Sequence, residues 1–554
     1  MTAPHRSRSS YPGLLSAAFL VTLAACGGDP GSGADDSTVP DEAELGGALP
    51  APTGVTATPG DGSVTLAWAA GPTGSESYQV RVRPSGGAWT YRSVGKVSSY
   101  LEGALSNGAT YELQVRVKGS SLLTTSVYSP LVAATPGGTV VQPPMPPMPP
   151  TPPPPLPLSG RWVGAAAHGR GDGSSYDNRA AFSQLTSILA AAKPGDRVLL
   201  AATDAYSGSS TLTLASGGTA TGKVTLEGAN PDGTPGQAVF TGNRSYPYSA
   251  TGAMGSTVFS LAAGASHLKI SHLRFVNVGV AFHPTAPVSD LELADLTFSN
   301  IRQLLRVDGA APLSSSSVHD VSGLGHSKAL IQLGSTPGSQ DLRVERVHAD
   351  ADWQNGDWPV GIQIGGNLAT TANGNITIRS SSFSHVMMNY AGDNTQYWQG
   401  DGISTEEYDH HILIDDVTID GAGDAGFDLK SCSTQVLNSK VTGAKRSLRK
   451  HPGSCNDTLL VQHFLSVDPT KRGGIGNETH VWAGGSHVSI TDGTFTSLRS
   501  SLSAVFSVET HVGSVGGNVT VESGSITKPA AVPLKIVEAG CSVTLSPQVS
   551  IKNL

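Results

Sequence analysis

Residues 267–278 read HLKISHLRFVNV, and residues 290–301 read DLELADLTFSNI. Each holds two short runs of alternating apolar and polar residues, parted by a polar gap. The figure returns as DLRVERVHADAD (341–352), NITIRSSSFSHV (375–386), HILIDDVTIDGA (411–422), THVWAGGSHVSITDGTF (479–495) and NVTVESGSITK (518–528). Leu268 to Leu291 spans 23 residues, Ile412 to Val436 spans 24, and Val436 to Leu460 another 24. Alternation with period two calls for strands. Irregular repeats of roughly 20–30 residues call for a solenoid. Short β-branched strands with Asn, Ser and Gly corners select a parallel β-helix over a helical array, and the Leu/Asn spacing of leucine-rich repeats is absent.

The composition agrees. Of 554 residues 38% are apolar, enough for a sizeable core, and only 14% are charged, against roughly 25% in an average soluble protein. The 67 Gly and 36 Pro point to many turns and exclude a helical bundle, a coiled coil or a collagen. The net charge of −8 without a Lys/Arg run argues against a nucleic-acid partner. Four cysteines are too few for a disulfide scaffold.

Around this array the chain divides readily. Residues 1–26 form a targeting segment, with Arg6 and Arg8 ahead of an apolar stretch from Leu14 to Ala25. Residues 27–49 are Gly, Ser, Asp and Glu with few apolar residues, a disordered tether. Residues 137–158 carry PPMPPMPPTPPPPLP, a semi-rigid polyproline spacer. Between them, residues 50–136 show the alternating strands VTLAW (64–68), YQVRV (78–82) and YELQVRV (111–117), a β-sandwich pattern with Trp68 placed to pin two sheets. The large domain, 159–554, opens with a helix capped at Tyr176-Asp177-Asn178, its apolar face made of Phe182, Leu185, Ile188 and Leu189, and stopped by Lys193-Pro194-Gly195-Asp196.

Several resemblances sharpen this reading. Leu23-Ala24-Ala25-Cys26 is similar to the lipobox of bacterial lipoproteins, which implies lipidation of Cys26. Gly27 after it favours the outer membrane or cell surface. LSNGATYELQV (105–115) resembles the tyrosine corner of fibronectin type III domains, which makes 50–136 a spacer or binding module. The helix, the PGD turn and the strand after it resemble the entry of the pectin-lyase-like superfamily, which implies a right-handed parallel β-helix. The expected fold is therefore all-β, a right-handed parallel β-helix preceded by a fibronectin type III sandwich, and a monomer is expected.

Chemistry is densest in 397–455, YWQGDGISTEEYDHHILIDDVTIDGAGDAGFDLKSCSTQVLNSKVTGAKRSLRKHPGSC. With Ile403, Phe427 or Leu429, and Leu448 inward, Ser404, Asp428 and Ser447 are expected in one outward column, and Glu406, Lys430 and Arg449 in the next. A carboxylate, an ammonium and a guanidinium in a row suit β-elimination on a uronic-acid polymer. A base takes the proton beside the carboxylate, and a cation neutralises the enolate. DLKSCSTQVLNSKVTGAKRSLRKHPG (428–453) resembles the chondroitinase-B and alginate lyase family. The resemblance makes Lys430, beside Ser431, the base and assigns Arg449 to the next rung, with Lys450 intervening before His451. Asp424 and Asp428 replace that family's metal-binding Glu. GDGIS followed by DAGFD also resembles a β-helix family related to pectate lyases, which implies Ca²⁺ on Asp401, Asp424 and Asp428 and a base near Lys450.

Glu406, His451, Tyr397 and Trp398 are the expected substrate contacts, with Tyr390 a further ring. Asn477, Glu478 and His480 are candidates to extend the subsites. Cys432 and Cys455, one rung apart, suit a disulfide in an oxidising compartment. The signatures of β-helix polygalacturonases are absent. The expected function is a surface-anchored lyase of an acidic polysaccharide. Its rivals are a non-catalytic carbohydrate-binding or adhesin β-helix, and a glycoside hydrolase using Glu406 and Asp428.

Overall fold

The computed structural model describes residues 50–137 and 160–554, except 61–62, 70–76, 88, 95–96, 103–104, 119–125, 127, 355, 390–391, 456 and 511–515. The targeting segment with Cys26, the tether, Tyr390 and all but the first residue of the proline linker lie outside the described residues. Contacts divide the chain into two units, Met1–Pro152 and Pro153–Leu554, a boundary inside the proline run.

In the first unit, strands Thr56–Gly60, Ser63–Ala67 and Ser99–Glu102 make one antiparallel sheet. Strands Thr90–Val94, Ser77–Pro84, Tyr111–Lys118 and Val132–Ala134, in that order, make the other. Alternate residues Val64 and Leu66 from the first sheet, and Val80, Val82, Leu113, Val115 and Val117 from the second, share one core with Trp68 and Tyr78. The Ser106 amide donates to the Tyr111 hydroxyl at 3.1 Å, the corner bond that LSNGATYELQV suggested.

The second unit is a parallel β-helix, in which the described strands from Gly160–Gly164 to Val549–Asn553 join in one continuous sheet. Its apolar lumen runs from Val163 to Val543. The expected helix is shorter than its periodicity implied. Tyr176–Asn178 is a 3₁₀ turn, Ala180 pairs with Val163 in the ladder, and only Leu185–Ala191 is α-helical. The strand hydrogen bonds of Ala180 take the backbone that helix would need. Leu185 and Leu189 are still buried against the first rungs.

Each rung turns at corners held in the left-handed backbone region, and the register stacks those corners into columns. One column holds His267, Asp290, Ser315, Asp341, Asn375, His411 and Ser433, with φ between 47° and 59°. Another holds His272, Asp295, Asp320, Arg346, Ser380, Asp416, Asn438, His463 and Asp492. Asn, Asp and His tolerate this conformation better than other side chains. They also bond along the column, as in Asn375 Nδ2 to Asp341 Oδ1 at 3.1 Å. The ladder corrects one sequence alignment. Ile414, Val436 and Val461 stack, so Leu460 faces outward and is 45% exposed.

Candidate functional site

One outward column runs along a single face of the β-helix. Strand pairing places His283, Arg306, Gln332, Gln363, Ser404, Asp428, Arg449, Trp482 and Ser507 in it. Leu448 stacks on Phe427, so Arg449, not Ser447, follows Asp428. Ser447 is instead buried inside, where it accepts from Ser466 Oγ at 2.7 Å. Glu406 and Lys430 meet one pleat further on, and His451 reaches the same place. In the middle of this track opens a cleft of about 370 Å³, lined among others by Gln363, Tyr397, Asp401, Glu406, Asp428, Lys430, Arg449 and His451.

Local structure fixes these side chains. Asp409, fully buried, accepts the Glu406 amide at 2.8 Å and the Asn373 amide at 3.0 Å, which pins the turn that presents Glu406. Thr405 Oγ1 accepts the Lys430 and Ser431 amides at 3.0 and 3.1 Å. Cys432 and Cys455 are joined, with Cα atoms 6.0 Å apart, which ties the segment after Lys430 to the one after His451. Trp482 packs on His451 with ring centroids 4.7 Å apart.

The charges interlock. Lys430 Nζ donates to Glu406 Oε1 at 2.9 Å and to Asp428 Oδ2 at 3.4 Å. Asp428 Oδ1 lies 3.6 Å from both Arg449 Nε and His451 Nε2, buried and without a hydrogen bond. Beneath them Asp424, 0% exposed, accepts from Tyr397 Oη at 2.7 Å and Arg449 Nη1 at 2.9 Å. Lys445 Nζ, equally buried, sits 2.9 Å away. Asp401, 5% exposed, accepts the Ala425 amide at 2.9 Å. Burial, with the charges of Asp428 and Asp424 beside it, pushes the Asp401 carboxyl well above the usual carboxylate range. Burial also raises Glu406, against the pull of Lys430.

These contacts revise the expected roles. Burial acts to lower Lys430, but Asp428 and Glu406 outweigh it, so the ammonium titrates above its ordinary value. A protonated lysine between two carboxylates is poorly suited to be a base. Lys450 lies in the inward column with Leu429 and Ala483, is 1% exposed, and donates to the Ser431 carbonyl at 2.9 Å. Burial lowers it to about 8, but it does not face the cleft. Trp398 is buried against Gly473 and Gly474 and donates to the Asp393 carbonyl, so it anchors a loop while Tyr397 lines the cleft. His480 is fully buried and bonded to Ser466 Oγ, away from any subsite.

Nor do the donors fit the expected Ca²⁺ cradle. Among the described residues Asp401, Asp424 and Asp428 do not bring their oxygens together within 4.8 Å. Asp424 and Asp428 are also already engaged by Lys445, Arg449 and Lys430. Sequence reasoning passed over Gln399 and Trp358, which line the cleft from loops outside the repeats, and Lys445 and Arg446, the buried cations facing Asp424.

No family model and no curated protein matches the chain. Solved structures of similar shape include the lacto-N-biosidase of family GH136 from Eubacterium ramulus, at 11% identity and TM-score 0.39, covering 71% of this chain and 68% of that one. Another is the catalytic domain of a GH87 α-1,3-glucanase, D1069A, in complex with tetrasaccharides, at 10% identity and TM-score 0.37, covering 90% and 92%. The FN5 domain of Drosophila Lar matches at 21% identity and TM-score 0.15, covering 16% of this chain and all of that one.

Proposed function

We propose that this protein cleaves a polysaccharide in the cleft between Gln363 and His451, by carboxyl acid–base chemistry at a glycosidic bond. The observation that carries this reading is a pair of buried carboxyls lining the cleft: Asp401, which burial and its acidic neighbours push well above the usual carboxylate range, and Asp428, which Lys430 and Arg449 flank. Environments that drive neighbouring carboxyls apart are how an enzyme makes one an acid and the other a base or nucleophile. Asp401 then gives its proton to the leaving oxygen. Asp428, held by Lys430 and Arg449, activates water or attacks the sugar. Lys430 and Arg449, though paired with Glu406, Asp424 and Asp428, place two cations on one wall of the cleft, where an acidic glycan would meet them.

That wall also favours a second reading, β-elimination on a uronic-acid polymer, in which Arg449 neutralises the enolate. The chemistry of the products separates the two. Hydrolysis yields a saturated reducing end that takes up oxygen from water, whereas elimination yields an unsaturated uronate with a strong ultraviolet absorbance. In a screen of pectate, alginate, glycosaminoglycans and neutral glucans, Asp401→Asn is expected to slow hydrolysis about 10²–10⁴-fold without unfolding the protein. In the wild type the rate is expected to fall as pH rises through the elevated Asp401 value, because the acid loses its proton there. Turnover by Asp401→Asn at the wild-type rate rejects the assignment.

The strand order of the first unit and the Tyr111 corner bond support a fibronectin type III module. The Leu-Ala-Ala-Cys motif supports export and lipid anchoring at Cys26 on the outer membrane or cell surface. Cys26→Ser is expected to move the protein from membrane to soluble fractions.

A further inference from the structure

The second unit holds five tryptophans among its described residues, and four have occupied rings. Trp162 packs on Tyr176, Trp353 lies under Arg472, Trp398 is buried against Gly473 and Gly474, and Trp482 packs on His451. The fifth, Trp358, lines the cleft, is 44% exposed, and has no hydrogen-bond, ring or cation partner among the described residues.

Its backbone is unusual as well. Trp358 has φ 75°, the left-handed region, which a bulky side chain adopts rarely. It also precedes Pro359, which narrows the conformations open to it further. The chain on both sides holds it there. Asp357 accepts from Arg302 Nε and Nη2 at 2.9 and 2.6 Å. The buried Val360 enters the ladder, accepting the Leu330 amide at 2.9 Å. An outlier imposed by its neighbours points to use at that spot. Gln363, Gln399 and Ser404 line the same cleft and supply polar groups to it. An apolar plate in one cleft with amides and a hydroxyl complements a pyranose ring, whose C–H face is apolar and whose rim carries hydroxyls.

We propose that Trp358 is the stacking platform for a sugar ring of the substrate polymer, setting affinity at the Gln363 end of the cleft. The proposal rests on the reading that this cleft binds a glycan. Its test uses the full-length protein and pectate, alginate, chondroitin sulfate and a neutral glucan as probes. On whichever polymer the wild type cleaves, Trp358→Ala is expected to raise KM about tenfold, the factor matching a strong aromatic contact, while kcat changes by less than about twofold. Trp358→Phe is expected to recover most of the loss. Trp358→Gly is expected to raise KM equally while raising the melting temperature, since Gly accepts the backbone conformation freely. A residue kept only for folding does not give that split.

Wild-type KM in Trp358→Ala overturns the proposal and leaves the cleavage reading standing. If none of the four polymers is cleaved, the cleavage reading falls. Quenching of tryptophan fluorescence by the same polymers then decides Trp358: equal affinity in Trp358→Ala, or no binding by the wild type, overturns the proposal.

Discussion

Replacing Asp424 by Asn keeps the size of the side chain and removes one charge from beneath the cleft. The carboxylate accepts from Tyr397 Oη and Arg449 Nη1, and pairs with Lys445 Nζ, whose side chain is as fully buried as its own. Arg446 Nη1 stands 3.7 Å away. Hydrogen bonds to charged groups contribute roughly 1.5–3 kcal/mol each. Stranding one member of a buried pair costs roughly 3–5 kcal/mol. Because Arg446 and Arg449 keep other contacts, the penalty centres on Lys445, and a local loss of about 3–5 kcal/mol is expected. A stacked array opens in parts, so the assay is hydrogen exchange of the amides of Ala425–Leu429 and Arg446–Lys450. These are expected to exchange about 10²- to 4 × 10³-fold faster, at one decade per 1.4 kcal/mol. Adding Lys445→Met removes the stranded ammonium and should restore part of the protection. Wild-type exchange in Asp424→Asn, or strictly additive losses in the double variant, would refute the hub.

Burial lowers His326 to about 4 and His480 to about 3, so both fold as neutral rings. The unfolded chain binds their protons near pH 6.5, so their contribution is complete above that value. It falls by up to about 1.4 kcal/mol per pH unit for each histidine as pH drops toward 4. Melting temperature measured from pH 7 to 4 should drop less steeply in His326→Phe than in the wild type. Because Asp424 and Asp428 are neutralised by lysine and arginine, a chelator is expected to leave turnover unchanged. Activity lost to the chelator and restored by Ca²⁺ would put a metal among the Asp401, Asp424 and Asp428 carboxylates.

The rungs were legible because their alternation is strict, and the corners because Asn, Asp and Gly bend where few other residues do. The site was harder to align. Phe427 and Leu429 flank Asp428 and are both fully buried, so the sequence does not say which of them Leu448 stacks on. The slip of one pleat moved Ser447 into the column that belongs to Arg449. Lys450 failed differently: alternation from Leu448 places it inward, but lysine normally stays in water, and residue type overrode period. Asp401, Asp424 and Asp428 were found from their motifs, while their pairing with Lys445 and Arg446 was hidden. Lys445 is drawn in from the bend before a strand, where no period speaks, and Arg446 opens that strand as a charged residue at a buried position. Trp358 lies outside the repeats, and only its place before Pro359 marked it.

The column from His283 to Ser507 puts the cleft near the middle of a stack in which each rung touches only its neighbours. Such a stack melts like a zipper, from its ends inward. Several rungs on either side must open before Gln363, Ser404, Asp428 and Arg449 lose their footing. On heating, strand content should therefore begin to decline while the cleft is still assembled, and the outer rungs act as sacrificial material for the chemistry they enclose.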